Sequence, residues 1–106
     1  MRSFRLAMAQ MNPTVGDLAG NAEVILRFID EARTLGADLV AFPEMALNGY
    51  PPEDLLFKPQ FIQDSLQFLD RIVAQTQGIA MVLGYAEPNE HLYNAAAVAC
   101  DGKLVG

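Results

Sequence analysis

The 106-residue sequence holds one cysteine, one histidine and no tryptophan. A single thiol excludes an internal disulfide and a cysteine-rich metal centre, and it suits a reducing compartment. Cations are also scarce: seven Lys and Arg stand against thirteen Asp and Glu, for a formal net charge of -6. With no run of basic residues, phosphate-backbone binding is a poor fit, and no nucleic-acid partner is expected. No apolar run is long enough to span a membrane. The longest uncharged stretch, 72–86, is interrupted by Gln75, Thr76, Gln77 and Gly78. The opening Met1-Arg2-Ser3-Phe4-Arg5-Leu6-Ala7-Met8-Ala9 has the arginines of a leader peptide, but Gln10 and Asn12 cut its apolar part short. A cytoplasmic, membrane-free protein is therefore expected. A phosphate loop is missing too. The segment Asn12-Pro13-Thr14-Val15-Gly16 stands where a nucleotide-binding α/β fold would carry G-x-G-x-x-G or a Walker pattern.

What the chain does have is apolar side chains. Hydrophobic residues make up 52%, charged residues only 19%, and mean hydropathy is +0.18. A unit of this size can bury roughly two thirds of its unfolded surface. So greasy a composition then implies apolar surface meant for further chain or for a partner.

Hydrophobic periodicity organises the chain as β-α-β-α-β followed by a hairpin, an α/β fold. Phe4 to Met11 reads as a first strand. Pro13 bars helix at Asn12, and a helix begins between Asp17 and Asn21, either of which can cap it. Leu18, Ala22, Ile25, Ile29 and Ala32 recur at helical spacing, and Gly36 suits the position that ends such a helix. Asp38 to Phe42 reads as a strand, apolar without a break after Asp38, of the kind parallel sheets bury on both faces. Pro59 fits the first turn of a second helix, whose stripe includes Ser65, Leu66, Phe68, Leu69, Ile72 and Val73. Ile79–Tyr85 and Leu92–Cys100 read as strands, with a turn over Glu87–Glu90 between them. Asp101-Gly102 is a hairpin signal, with a returning strand from Lys103. The hairpin is barely under way when the sequence stops, so the opening part of a larger domain is expected.

Glu44 is the first candidate for chemistry. It follows Pro43 at the changeover from a buried strand to a loop, and α/β proteins gather their ligands beyond the carboxyl ends of strands. A general base needs such a place and a pKa lifted by desolvation. The bland alternative is a solvated loop glutamate. Glu53 and Asp54 read either as a second acidic site or, more simply, as acids in the first turn of a short helix. Cys100 ends the run Ala95-Ala96-Ala97-Val98-Ala99 and precedes an acid, so it reads as a buried structural residue and not as a nucleophile. His91, Lys58 and Lys103 read as surface residues. No cluster of His, Cys and acids supports a metal site.

Taken together, several segments resemble the carbon–nitrogen hydrolase (nitrilase) superfamily. These are Ala7-Met8-Ala9-Gln10-Met11-Asn12-Pro13, then Val15-Gly16-Asp17-Leu18-Ala19-Gly20-Asn21, then Gly36-Ala37-Asp38-Leu39-Val40-Ala41-Phe42-Pro43-Glu44. The continuation Leu47-Asn48-Gly49-Tyr50-Pro51-Pro52-Glu53-Asp54-Leu55-Leu56 is similar to the glutaminase domains of glutamine-dependent NAD(+) synthetases. Gly84-Tyr85 and Leu92-Tyr93-Asn94-Ala95-Ala96 also match.

The resemblance implies a four-layer α-β-β-α sandwich, of which residues 1–106 are an incomplete glutaminase domain. It implies a Glu–Lys–Cys triad with Glu44 as its glutamate, the lysine and cysteine lying beyond this sequence, and Tyr50 lining a glutamine pocket. It further implies ammonia delivery to a synthetase domain that uses ATP and magnesium, with no cofactor in the present segment. A homo-oligomer is expected. A stand-alone amidase or carbamoylase, and an inactive fragment serving as a binding or assembly module, are the alternatives.

Overall fold

The computed structural model describes residues 4–12, 17–43, 46–47, 59–87 and 93–105. Five strands form one sheet in the order β1-β2-β3-β4-β5. They are β1 (Leu6–Met8), β2 (Leu39–Ala41), β3 (Ala80–Glu87), β4 (Tyr93–Cys100) and β5 (Lys103–Leu104). The first three run parallel, and β4 and β5 are added antiparallel. Helices α1 (Leu18–Thr34) and α2 (Pro59–Ala74) connect the parallel strands.

Helix α1 starts where its orphan amides find a partner. Asp17 is the N-cap, and its carboxylate accepts from the Gly20 amide at 3.0 Å. A Cβ on residue 20 would come within 2.2 Å of that carboxylate, so only glycine leaves the cap room. The helix ends in two capping bonds, Gly36 N to Arg33 O and Ala37 N to Ala32 O, with Gly36 at φ 80°. This is the glycine stop that the sequence predicts. All five residues of the expected stripe, Leu18, Ala22, Ile25, Ile29 and Ala32, are buried. In α2, Ser65, Leu69, Ile72 and Val73 are likewise buried, and both helices feed one core.

The sheet register explains which strand residues join that core. Ala7, Val40, Met81, Ala99 and Leu104 form one row across all five strands. Val40, Met81 and Ala99 at its centre are buried against the helices, as are Leu83 and Ala97 one row on. The alternate rows, Leu6-Leu39-Ala80-Cys100-Lys103 and Met8-Ala41-Val82-Val98, face the other way. Leu6 is 52% exposed and Met8 69%. Along these rows the sheet thus has one helix-covered face and one open face, which is apolar apart from Cys100 and Lys103.

Two expectations need correcting here. The strand at 38–42 is not buried on both faces: Val40 is buried, but Leu39 and Ala41 are half-buried on the open side. The first strand is also shorter than Phe4–Met11. Its ladder covers Leu6–Met8, extended by one bond from Ala9 N to Ala41 O at 2.9 Å. An apolar run shows that a strand can be buried, but not that a second layer is present to bury it.

The turn chemistry at the far end fits its residues. Asp101 and Gly102 have φ of 52° and 81°, the doubly positive pair of a tight hairpin turn. The turn is tied to the end of α2, because Gly102 N donates to the buried Thr76 hydroxyl at 3.0 Å and Gly78 N donates to Asp101 Oδ1 at 3.1 Å. Arg33, which lies off the apolar stripe of α1, staples the two helical units. Its Nε donates to Gln77 O at 2.7 Å, a second guanidinium nitrogen donates to Gln75 O, and a third meets Asp30 at 2.7 Å. The expected turn at 87–90 and the short helix at 53–54 lie outside the described residues, apart from Glu87, which closes β3.

Candidate active site

The chain leaves the carboxyl end of β2 through Phe42 and Pro43, and the backbone there is fixed from several sides. Phe42 N donates to Val82 O at 3.0 Å, which continues the β2–β3 ladder. The Phe42 ring meets Phe28 of α1 edge-on, with centroids 6.4 Å apart and planes at 84°. Ala46 N donates to Pro43 O at 3.2 Å, and both Ala46 and Leu47 are completely buried. Asn21 of α1, itself buried, donates from Nδ2 to the Leu47 carbonyl at 2.9 Å. Beside this segment, at the ends of β1 and β2, lies a cleft of about 520 Å³ lined by Ala9, Gln10, Met11, Asn12 and Pro43. Concave space beyond parallel strand ends is where α/β folds hold ligands.

Glu44 and Tyr50, the two site residues expected from sequence, lie outside the described residues, as do Glu53, Asp54, Lys58 and His91. What is described is the frame on both sides of Glu44 in the chain, Phe42–Pro43 before it and Ala46–Leu47 after it. Asn21 was missed as part of that frame. The periodicity carried a signal for it, because position 21 falls on the same helix face as 18, 22 and 25, and a polar residue on a buried stripe needs a partner.

Cys100 sits elsewhere. It pairs with Ala80, which pairs with Leu39, so it is level with the start of β2, whereas Pro43 is past its end. Four residues of strand, about 13 Å, separate the two levels. Proton transfer needs hydrogen-bond reach, about 3 Å. The geometry keeps Cys100 away from the strand end that precedes Glu44.

The thiol is not buried as expected, however. It points to the open face and is only partly covered. A second cleft, of about 510 Å³, lies at this foot of the sheet, where Cys100 is joined by Asp38 and Asp101. Asp38 Oδ2 accepts from Arg5 N at 2.9 Å, and Asp101 Oδ1 from Gly78 N, so both carboxylates serve the fold. Among the described residues, no group of three His, Cys, Asp or Glu could hold a metal. Desolvation, the charge of Asp101 and a long hydrogen bond to its Oδ2 (3.7 Å) all push the Cys100 pKa up.

The sign of that shift sets two expectations. The folded state holds the thiol proton more tightly than the unfolded chain does. Its contribution to stability is therefore complete below the ordinary thiol pKa and is lost as pH rises through the raised one. At pH 8, Cys100 should alkylate more slowly than a free cysteine. Asp101→Asn, which keeps the acceptor for Gly78 N and tolerates the positive φ, should speed the reaction. Iodoacetamide labelling followed by peptide mass mapping measures both, and an unchanged rate in the variant would remove Asp101 as a cause.

No helix among the described residues is long and apolar enough to cross a membrane. Comparison with known proteins places the architecture in a family. The carbon–nitrogen hydrolase family matches residues 5–106. A glutamine-dependent NAD(+) synthetase from Xylella fastidiosa is 48% identical over 103 residues, which cover 95% of this chain and 19% of that protein. The structure of a glutamine-dependent NAD+ synthetase from Acinetobacter baumannii, in complex with adenosine diphosphate, superposes with a TM-score of 0.89. It is 34% identical, and the match covers 99% of this chain and 20% of that one. An amidase from Nesterenkonia sp. shares the fold, at TM-score 0.83 and 23% identity, over 97% of this chain and 41% of its own. The chain thus spans about a fifth of the length of the synthetases it matches, and its sheet and helices are those of the nitrilase-like α/β fold. On the family match across residues 5–106, the chain belongs to the carbon–nitrogen hydrolases.

Proposed function

We propose that residues 1–106 form the first part of a glutaminase domain that supplies ammonia for ATP-dependent NAD(+) synthesis. The observation that carries this reading is 48% identity to a glutamine-dependent NAD(+) synthetase across nearly the whole chain, with the segment around Glu44 included. In this reading Glu44 is the general base of a Glu–Lys–Cys triad whose lysine and cysteine lie beyond residue 106, and Tyr50 lines the glutamine pocket.

Glu44 takes the thiol proton as the cysteine sulfur attacks the side-chain carbonyl carbon of glutamine. The lysine ammonium stabilises the oxyanion that forms. Collapse of that intermediate breaks the C–N bond. Glu44 returns the proton to the departing nitrogen, releasing ammonia and leaving a thioester. Glu44 then takes a proton from water as the hydroxyl attacks the thioester, which yields glutamate, and the thiol regains its proton. ATP and magnesium belong to a separate synthetase domain that amidates nicotinic acid adenine dinucleotide. The cytoplasm and a homo-oligomeric assembly go with this reading.

The test is substrate preference in the complete enzyme. Glutamate release from glutamine should exceed hydrolysis of short aliphatic amides by about 10⁴-fold in kcat/KM, the lower end of the discrimination available to a site that hydrogen-bonds its substrate's polar groups. Turnover of short amides with none of glutamine would instead establish a stand-alone amidase. Residues 1–106 alone should hydrolyse neither, and thioester formation on Cys100 with a glutamine analogue would contradict the scheme.

A further inference from the structure

We propose that Asn21 is a positioning residue for Glu44, acting through the backbone of Leu47. The inference rests on the catalytic role given to Glu44 above. Asn21 is 3% exposed, and its Nδ2 donates to the Leu47 carbonyl at 2.9 Å inside the core. Leu47 and Ala46 are completely buried, and Ala46 N is bonded back to Pro43 O. On the other side of Glu44 in sequence, Phe42 is held by the Phe28 ring and by Val82 O. One helix therefore grips the chain both before and after the glutamate. Asn21 and Phe28 are seven residues apart, two helical turns on one face.

The residues around Asn21 make sense as parts of the same device. Asparagine is a poor helix former, and at the fourth position of α1 its side-chain amide reaches out of the helix to the Leu47 carbonyl. Asp17 already caps the helix and Gly20 leaves space for that carboxylate. Asn21 N donates to Asp17 O at 2.9 Å, so the cap fixes where residue 21 enters the helix. The cap thereby sets the register of the clamp. A leucine would fill the same volume but leave the buried Leu47 carbonyl without its donor.

The experiment compares Asn21→Leu with Ile29→Val in the complete enzyme, Ile29→Val serving as a core truncation on the same helix at a residue that makes neither the hydrogen bond nor the ring contact of the clamp. In Asn21→Leu, kcat for glutamate release should fall about 10- to 100-fold, the effect of a small misplacement of a catalytic group. KM should stay within about twofold, because Asn21 touches no substrate. Hydrogen exchange in the peptide 42–47 should rise about tenfold, with the middle of α1 unchanged. Ile29→Val should lower the melting temperature without changing kcat.

Unchanged exchange at 42–47 overturns the clamp whatever the activity shows. Faster exchange with unchanged kcat overturns the positioning role. If Glu44→Gln itself leaves glutamine hydrolysis intact, the catalytic role given to Glu44 fails, and exchange still decides whether the clamp exists. Should Asn21→Leu not fold, Asn21→Asp, which keeps the shape and replaces the donor by an acceptor, is measured in the same way.

Discussion

Replacing Glu44 by glutamine in the complete enzyme should lower glutamine-supported NAD(+) synthesis by about 10³-fold, within the range attributed to general acid–base catalysis. The carboxamide matches the carboxylate in size and keeps an acceptor oxygen, but at neutral pH it cannot take a proton. In the proposed cycle the same carboxylate acts three times: on the thiol, on the departing nitrogen and on water. Its loss therefore touches acylation and deacylation alike. Ammonia added directly bypasses all three steps, so ammonia-supported synthesis should stay within about twofold of the parent, because no step of that route uses the glutaminase site. Initial rates with glutamine and with ammonium salt, on one preparation of each protein, give the comparison. A glutamine-supported rate close to the parent's would remove Glu44 from the chemistry. A parallel loss of both rates would make it a residue of the fold.

The second large effect concerns the fold that holds this segment. Ile25→Ala should cost about 3 kcal/mol, in the middle of the range for truncating a large aliphatic residue in a core. Ile25 has no exposed surface, lies at the centre of α1 and belongs to the cluster shared by both helices and the sheet. For a domain of this size that loss corresponds to roughly 15 °C in melting temperature. Leu6→Ala provides the contrast. Leu6 is as apolar as Ile25 but 52% exposed on the open face of the sheet. In residues 1–106 alone its truncation should cost less than about 0.5 kcal/mol, like most surface substitutions. In a longer chain that covers this face it should cost several times more. Urea titration of both variants in both lengths of chain reads the difference directly, and equal costs in the two lengths would mean the face stays open.

Local rules were legible wherever they depend on residues close in sequence. Gly36 as stop, Pro59 as helix start and Asp101-Gly102 as hairpin turn all stand where the sequence puts them, and Asp17 is the one of two possible caps that is used. The same holds for the α1 stripe, since helical periodicity needs only a single buried side. What sequence could not supply depended on a partner elsewhere in the chain. The apolar runs at 38–42 and 95–100 look alike whether or not a second layer covers them, so Leu39 and Cys100 were expected to be more buried than they are. The bonds of Arg33 could not be read from sequence, because its acceptors, Gln75 O and Gln77 O, lie more than forty residues away. Asn21 was read only as a possible cap for the same reason, its acceptor being the Leu47 carbonyl. At the candidate site, periodicity reached as far as a strand ending at Glu44. Position alone offered Glu44 as a candidate base; the triad role proposed for it, and the glutamine-binding role proposed for Tyr50, came from motif resemblance.

The open rows of the sheet turn folding into a race. Leu6, Met8, Val82 and Val98 offer an adhesive surface to whichever apolar layer arrives first. A layer tethered on the same polypeptide competes at an effective concentration of about millimolar. Separate copies at micromolar concentration are then outpaced by about a thousandfold, and the tethered layer wins without any special affinity. Cut the tether, and capture of one molecule by another becomes proportional to how much protein is present. Yield after dilution, more than melting temperature, is then the quantity that this face controls.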